Sequence, residues 1–190
     1  MTNNPSFEDV NQLRRNFLNA YHVYWLKHVF LTWQWWTLLL TVILFWVVWW
    51  KFLEKTRIHE ILNYGLTIGI IAFIFDMVGM NHTAWAYPIR LYWAFIPPLL
   101  PFDLTYIPVS FMLVYQRYGE SWIKSIIGFA IAAAVFSFGA EPLLNWMGVY
   151  QIYKWKYIYS FPIYILMACF VKVVVYTLNR KQNGMINPKH

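Results

Sequence analysis

The stretch from Thr32 to Trp50, "TWQWWTLLLTVILFWVVWW", runs for nineteen residues without a charge. A soluble helix needs a polar face, and this segment has none. Eighteen residues from Trp33 to Trp50, at ~1.5 Å each, span roughly 27 Å, close to the hydrocarbon thickness of a bilayer. Trp33, Trp35 and Trp36 sit at one end; Trp46, Trp49 and Trp50 sit at the other. Those are the places where a spanning helix puts its rings at the two interfaces. Lipid is therefore one of the solvents of this fold. Composition agrees: 60% of the residues are hydrophobic and 12% charged, against about 45–50% and about 25% in soluble domains.

Four further apolar regions follow. The second span is expected from about Ile61 to Met80, and its "GLTIG" places Gly65 and Gly69 four residues apart, a pair that permits close helix approach in lipid. The third region is broken by Pro88, Pro97, Pro98, Pro101 and Pro108. Proline lacks an amide donor and clashes with the turn before it, so no regular helix crosses Pro97–Pro101. The expectation is a short helix or re-entrant piece, a break at "PPLLP", and a helix from about Pro101 to Gln116. Non-helical backbone at membrane depth survives only where protein or a wet cavity covers it, so the break marks a buried place. The fourth span is expected from about Ile123 to Ala140, rich in small residues, and the fifth from about Tyr157 to Leu178, with Pro162 one turn inside.

Ahead of the spans, Ser6 and Asp9 have the spacing of a capping box. Phe7, Val10, Leu13, Phe17, Tyr21 and Tyr24 then recur at intervals of three and four. This predicts an amphipathic helix over residues 7–30, lying on the membrane surface or packed on the rest of the fold. The fold class is all-α: a polytopic membrane helical bundle of about five transmembrane helices plus an N-terminal amphipathic helix. Residues 1–30 form the interfacial helix, 31–180 the five-helix transmembrane domain and 181–190 a solvated tail.

The net charge of +7 is spread between apolar runs instead of gathering on one polar face. It reads as a topology signal, not as a nucleic-acid footprint. With five spans, one side holds nine Lys and Arg residues and the side of the N-terminus holds six. The richer side is expected in the cytoplasm, with the N-terminus outside and the C-terminus inside, in a cell's inner (plasma) membrane. The start of the chain shows no short apolar segment with a small-residue cleavage site, so the first span is expected to act as the membrane signal. Cys169 lies inside an apolar run, where it reads as a small hydrophobe. No Gly-rich phosphate loop, Ser/His/Asp set or metal-ligand spacing occurs, and no cofactor is implied.

Three acids interrupt the apolar runs: Asp76 in "IFDMV", Asp103 in "LPFDL" and Glu141 in "FGAEP". The five-span topology puts all three near one side of the membrane, the side of His82, Arg90, Lys154 and Lys156. A charge in the bilayer costs at least ~2.5–3.5 kcal/mol, so such residues face the interior, find a partner or stay protonated. The expected arrangement is an outward-facing polar pocket of Asp76, Asp103, Glu141, His82 and Arg90, in which Arg90 or a lysine neutralises a carboxylate. Each residue also has a structural reading. Asp103, two residues after Pro101, has the position of an acid that stabilises a helix start. Glu141, before Pro142, has the position of an acid that reaches an interface. Asp76 has apolar neighbours on both sides and lacks such an explanation. Lys172 is expected to extend its amine to the inner interface.

The segments "HVFLTWQWW", "EILNYGL", "LPFDLTYIPVSFMLVYQ", "FGAEP" and "YKWKYIYSFPIYI" are similar to one uncharacterised family of small multi-pass membrane proteins of bacilli and clostridia. The resemblance covers most of residues 20–178, with "TWQWW" and "LPFD" its most specific parts. It implies a bacterial inner-membrane protein and carries no activity or catalytic residue with it.

Three functions fit these features. The first is a non-enzymatic accessory, binding or sensing protein that holds a ligand or partner in the outer pocket. The second is a membrane-embedded enzyme that uses a carboxylic acid on a lipid or isoprenoid substrate. The third is a proton- or ion-coupled carrier, which with five helices and no repeat would need to be a homo-oligomer. The expected partners are the lipid bilayer and, beyond it, a second copy of the chain or another membrane protein.

Overall fold

Ser6 accepts from the Asp9 amide while the Asp9 carboxylate takes the Ser6 N–H, and this reciprocal cap starts α1, Phe7–His28. Thr32 caps α2, Trp33–Phe52, with its hydroxyl accepting from the Trp35 amide. A short 3-10 turn then leads into α3, Ile58–Asn81. After an irregular stretch, a π-helical segment, Leu99–Tyr106, runs into α4, Ile107–Tyr118. Next come α5, Trp122–Val135, a π-helical turn, Phe136–Ala140, and α6, Glu141–Trp146, as one unbroken rod. The chain ends in α7, Tyr157–Ile186. The two-residue strands β1, Trp85–Ala86, and β2, Gln151–Ile152, pair antiparallel and tie two loops together. A computed structural model supplies this description, and it covers residues 4–186.

The architecture is the expected all-α bundle. Four helical stretches are long and apolar enough to cross a membrane: Trp33–Phe52, Lys55–Asn81, Trp122–Trp146 and Tyr157–Lys181. The broken third region is the exception, and its place in the bundle explains why. The π-helical segment and α4 are flanked by α2, α3 and α5, while α7 packs on α3 and α5. Pro101, Phe102, Asp103, Thr105 and Tyr106, and then Ile107, Val109, Phe111 and Met112, are all buried. The π-helical backbone thus lies at the centre of the protein, where other helices pack around it.

Close approach to this centre depends on α3. A Cβ at Gly69 would lie 2.8 Å from the Asp103 carbonyl oxygen, and one at Gly65 would lie 2.3 Å from the Met112 sulfur. The "GLTIG" pair therefore seats α3 on the segment that carries Asp103.

The structure corrects several expectations. No helix forms ahead of "PPLLP"; apart from β1, residues 82–98 are irregular. Pro88, Pro97 and Pro98 deny this stretch helical donors, and its carbonyls are taken up by side chains instead. Tyr21 Oη donates to Tyr87 O at 3.1 Å, Trp25 Nε1 to Arg90 O at 2.8 Å and Trp35 Nε1 to Leu91 O at 3.0 Å. The fourth span does not stop at Ala140, because the π-helical turn carries the rod past Pro142 to Trp146. The last helix runs past Leu178 to Ile186, and residues 187–190 of the expected tail lie outside the described residues. On α1, Trp25 is buried against the irregular loop and His22 stacks on Trp93. Phe7, Val10, Leu13 and Phe17 remain exposed, so the helix both packs on the fold and presents an apolar stripe outward.

Gly69→Ala should lower stability by about 1–3 kcal/mol, because the opposing atom is backbone and cannot rotate away. Gly139→Ala, with no heavy atom within 4 Å of its Cβ, should be neutral or stabilising by up to ~1 kcal/mol. Thermal unfolding of the two variants in detergent checks the contrast.

Candidate functional site

The chain enters the membrane region beside Trp33, reverses at Leu53–Arg57, and returns along α3 to the side of α1. The π-helical segment then leaves from that side, the α5–α6 rod comes back to it, and α7 leaves again. Asp76 near the end of α3, Asp103 near the start of the π-helical segment and Glu141 near the end of the rod therefore share one level. They line one cavity of about 110 Å³.

The three acids differ in how fully they are bonded. Glu141 accepts from Tyr164 Oη at 2.9 Å on one oxygen and from Ser160 Oγ at 3.0 Å on the other. Ser160 in turn accepts from Trp155 Nε1 at 2.9 Å. The result is a network that fastens the end of the rod to α7. Asp76 accepts from Trp85 Nε1 at 2.6 Å and Tyr87 Oη at 2.9 Å, both on Oδ1, while its buried Oδ2 has no partner. Asp103 is only 2% exposed, and its Oδ2 is likewise unpartnered. Leu100 is extended and the helical turn begins after it at Pro101, so Asp103 keeps the expected place in the first turn of a helix, here a π-helical one, while also lining the cavity.

Gly79 makes the Asp76 arrangement possible. A Cβ there would lie 2.0 Å from atoms of the Trp85 ring. Gly79 lies three residues from Asp76 and so on the same face of α3. Trp85 lies flat over this gap and reaches the carboxylate. The β1–β2 pairing holds Trp85 in place from the other side.

Two residues expected in the pocket are elsewhere. His82 is exposed and follows the end of α3, with Nδ1 2.8 Å from Val78 O. Six residues at ~100° each put it about 120° round the helix from Asp76. Arg90 is buried, but it neutralises none of the acids: no ion pair among the described residues includes Asp76, Asp103 or Glu141. Its Nε donates to Tyr87 O at 2.9 Å, and its guanidinium lies 4.3 Å from the centre of the Tyr21 ring. Burial lowers the Arg90 pKa from its ordinary value, while burial pushes the Tyr21 phenol up to about 12 against the pull of that guanidinium. Arg90 thus holds α1 to the loop above the cavity. Lys154 is exposed, bonded weakly to Thr83. No Lys, Arg or His lines the cavity.

Sequence reasoning identified the acids and missed their donors. Trp85, Tyr87, Trp155, Ser160 and Tyr164 were not singled out. The available signal was the Asp76–Gly79 spacing, which leaves a gap on the face of an acid. Among the described residues, no three His, Cys, Asp or Glu side chains gather as a metal site, so the acids surround a space instead of a point.

Fold and site together define a helical membrane protein with an acid-lined internal cavity. No family model matches the chain, and no curated protein or solved structure matches it either.

Asp76→Leu should strand the Trp85 and Tyr87 donors and cost ~1–3 kcal/mol for each. Asp76→Asn keeps a carbonyl oxygen for both and should unfold close to wild type. Equal loss in the two variants, measured by thermal unfolding, would show that charge and not hydrogen bonding holds Asp76 in the fold.

Proposed function

We propose that this chain is a bacterial plasma-membrane protein that binds a small ligand in the acid-lined cavity and performs no chemistry on it. One observation carries the reading: three acids from three separate segments line one cavity, and two buried carboxylate oxygens there have no partner. Buried polar atoms in native proteins are nearly always paired, and an unpaired one marks a place where something else supplies the partner. The side with fewer Lys and Arg residues holds α1, the irregular loop and the cavity, so the pocket faces outward under the positive-inside rule.

The other two functions fit less well. At ~30 Å³ of liquid volume per water, a cavity of about 110 Å³ corresponds to roughly four waters. A head group or chain end fits this space, whereas a whole isoprenoid does not. A carrier needs a polar path to the opposite face. Below the cavity the centre of the bundle is apolar, with Ile68, Phe111, Met112 and Phe129 fully buried. Lys172, on the far side, bonds to Ser125 Oγ at 2.7 Å and sits over the Trp122 ring.

Binding is tested by thermal shift of the purified protein in lipid nanodiscs against a panel of small molecules. Hits should stabilise the wild type and lose their effect in Asp103→Asn, with the unliganded melting temperature unchanged. Hits that ignore Asp103, or a panel without hits, would overturn the reading. Orientation is tested in a Cys169→Ser background: Lys154→Cys should react with a membrane-impermeant maleimide on intact cells, and Lys55→Cys should not. The reverse pattern would place the cavity on the cytoplasmic side.

A further inference from the structure

We infer that the cavity takes the ammonium head of an organic amine. This rests on the reading of the cavity as a binding site and names its ligand class. Three features of the cavity point the same way.

The first is charge. Asp76, Asp103 and Glu141 line the cavity and, among the described residues, no basic residue does, so a cation that enters it meets carboxyl oxygens and no competing positive charge. Arg90, the nearest candidate, is committed to Tyr21, the Tyr87 carbonyl and the Phe95 carbonyl. The second is hydrogen bonding. Asp103, 2% exposed, and Asp76, 5% exposed, each have an Oδ2 that no group of the chain bonds, so both acids keep acceptor capacity for an N–H from outside the chain. An ammonium group brings both a positive charge and N–H or polarised C–H donors. The third is the wall itself. Nine of the nineteen lining residues are aromatic, including Trp85, Tyr87, Phe102, Tyr106, Tyr150 and Trp155. Aromatic faces attract organic cations, and cages of this kind recognise alkylated ammonium groups. A bare metal ion would need its ligands gathered at one point, and these acids are not gathered.

The opening of the cavity bears on where the amine comes from. Phe75 of α3 lines the cavity yet is 48% exposed, and Ile163 of α7 lines it while partly exposed. The seam between α3 and α7 therefore connects the cavity with the lipid-facing surface. On the other side of the wall made by Trp85 and Tyr87 lies a groove lined by Arg90 and Lys154. The amine can thus arrive free from the water side or as the head of a lipid through the seam.

The test is binding of radiolabelled choline, and separately of ethanolamine, to the full chain in nanodiscs of phosphatidylglycerol. At least one should bind. Dimethylbutanol, the neutral carbon isostere of choline, should compete at least tenfold more weakly than choline itself. Asp103→Asn should weaken binding at least tenfold without lowering the melting temperature. If that variant does not fold, the comparison of charged and neutral probes decides alone. Discs containing phosphatidylethanolamine or phosphatidylcholine distinguish the sources. Reduced probe binding there assigns the site to a lipid head, and unchanged binding assigns it to a free amine; both outcomes support the ammonium class. Equal competition by the neutral isostere overturns the ammonium class and leaves the cavity as a binding site. Failure of both amines to bind also overturns it, and the broader panel then decides whether the cavity binds anything.

Discussion

A backbone N–H or C=O that meets lipid bare costs several kcal/mol, and this constraint organises the whole protein. The prolines between residues 88 and 108 make an uninterrupted helix there unattainable. The chain answers by burying the part of the broken stretch from Pro101 to Tyr106 among other helices. The π-helical segment and α4 occupy the middle of the bundle, with α2, α3 and α5 packed around them. Gly65 and Gly69 are the means by which α3 comes close enough. Once the break is central, Asp103 is central as well, because it lies two residues beyond Pro101. The position of the unpaired acid follows from the need to bury irregular backbone.

The large number of tryptophans acquires a second meaning in this light. Some serve the usual purpose of facing the membrane interface, as Trp33, Trp36 and Trp50 do. Others use the indole N–H as a buried donor while the ring fills space. Trp25 and Trp35 cap carbonyls of the irregular loop, Trp46 reaches Thr105 Oγ1 at 3.1 Å, and Trp85 and Trp155 serve the acid networks. Each is a rigid apolar body with one polar atom, so it can satisfy a buried acceptor without bringing charge. This explains how three acids are housed without a basic residue among them. It also explains why the expectation of a neutralising Arg90 failed: the donors to Asp76 and Glu141 are neutral aromatics and a serine, and Arg90 is used to dock α1.

Much of this was legible in the chain. The spans followed from uninterrupted apolar length, the capping box of α1 from Ser6 and Asp9, and the break from proline chemistry. That the three acids share a level followed from counting crossings. What local reading could not reach depended on contacts between distant segments. The route of the fourth span past Pro142 required a π-helical turn, which no local composition marks. The bonding of Glu141 depended on Ser160 and Tyr164, one turn apart on a helix nineteen or more residues away. His82 was misplaced because proximity in sequence to Asp76 was read as sharing a pocket, whereas the helical angle turns it away.

Ranking the acids by what they lack reverses the order that the sequence favours. Asp76 stood out because it has no local excuse for its charge, yet in the fold it receives two donors. Glu141 is saturated, with a bond on each oxygen, and adding a ligand to it would require breaking one of them. Asp103 looked the most ordinary, an acid near a helix start, and it ends with a buried oxygen that nothing satisfies. Saturated groups hold a fold together, and unsaturated ones persist when a partner outside the chain compensates them. Glu141 therefore belongs wholly to the frame of the cavity, and Asp76 belongs to it through Oδ1, with their tyrosines and tryptophans fixing its aromatic walls. Asp103, together with the unpartnered Oδ2 of Asp76, is what that frame leaves to meet a ligand, and the prolines that made the segment irregular position it there.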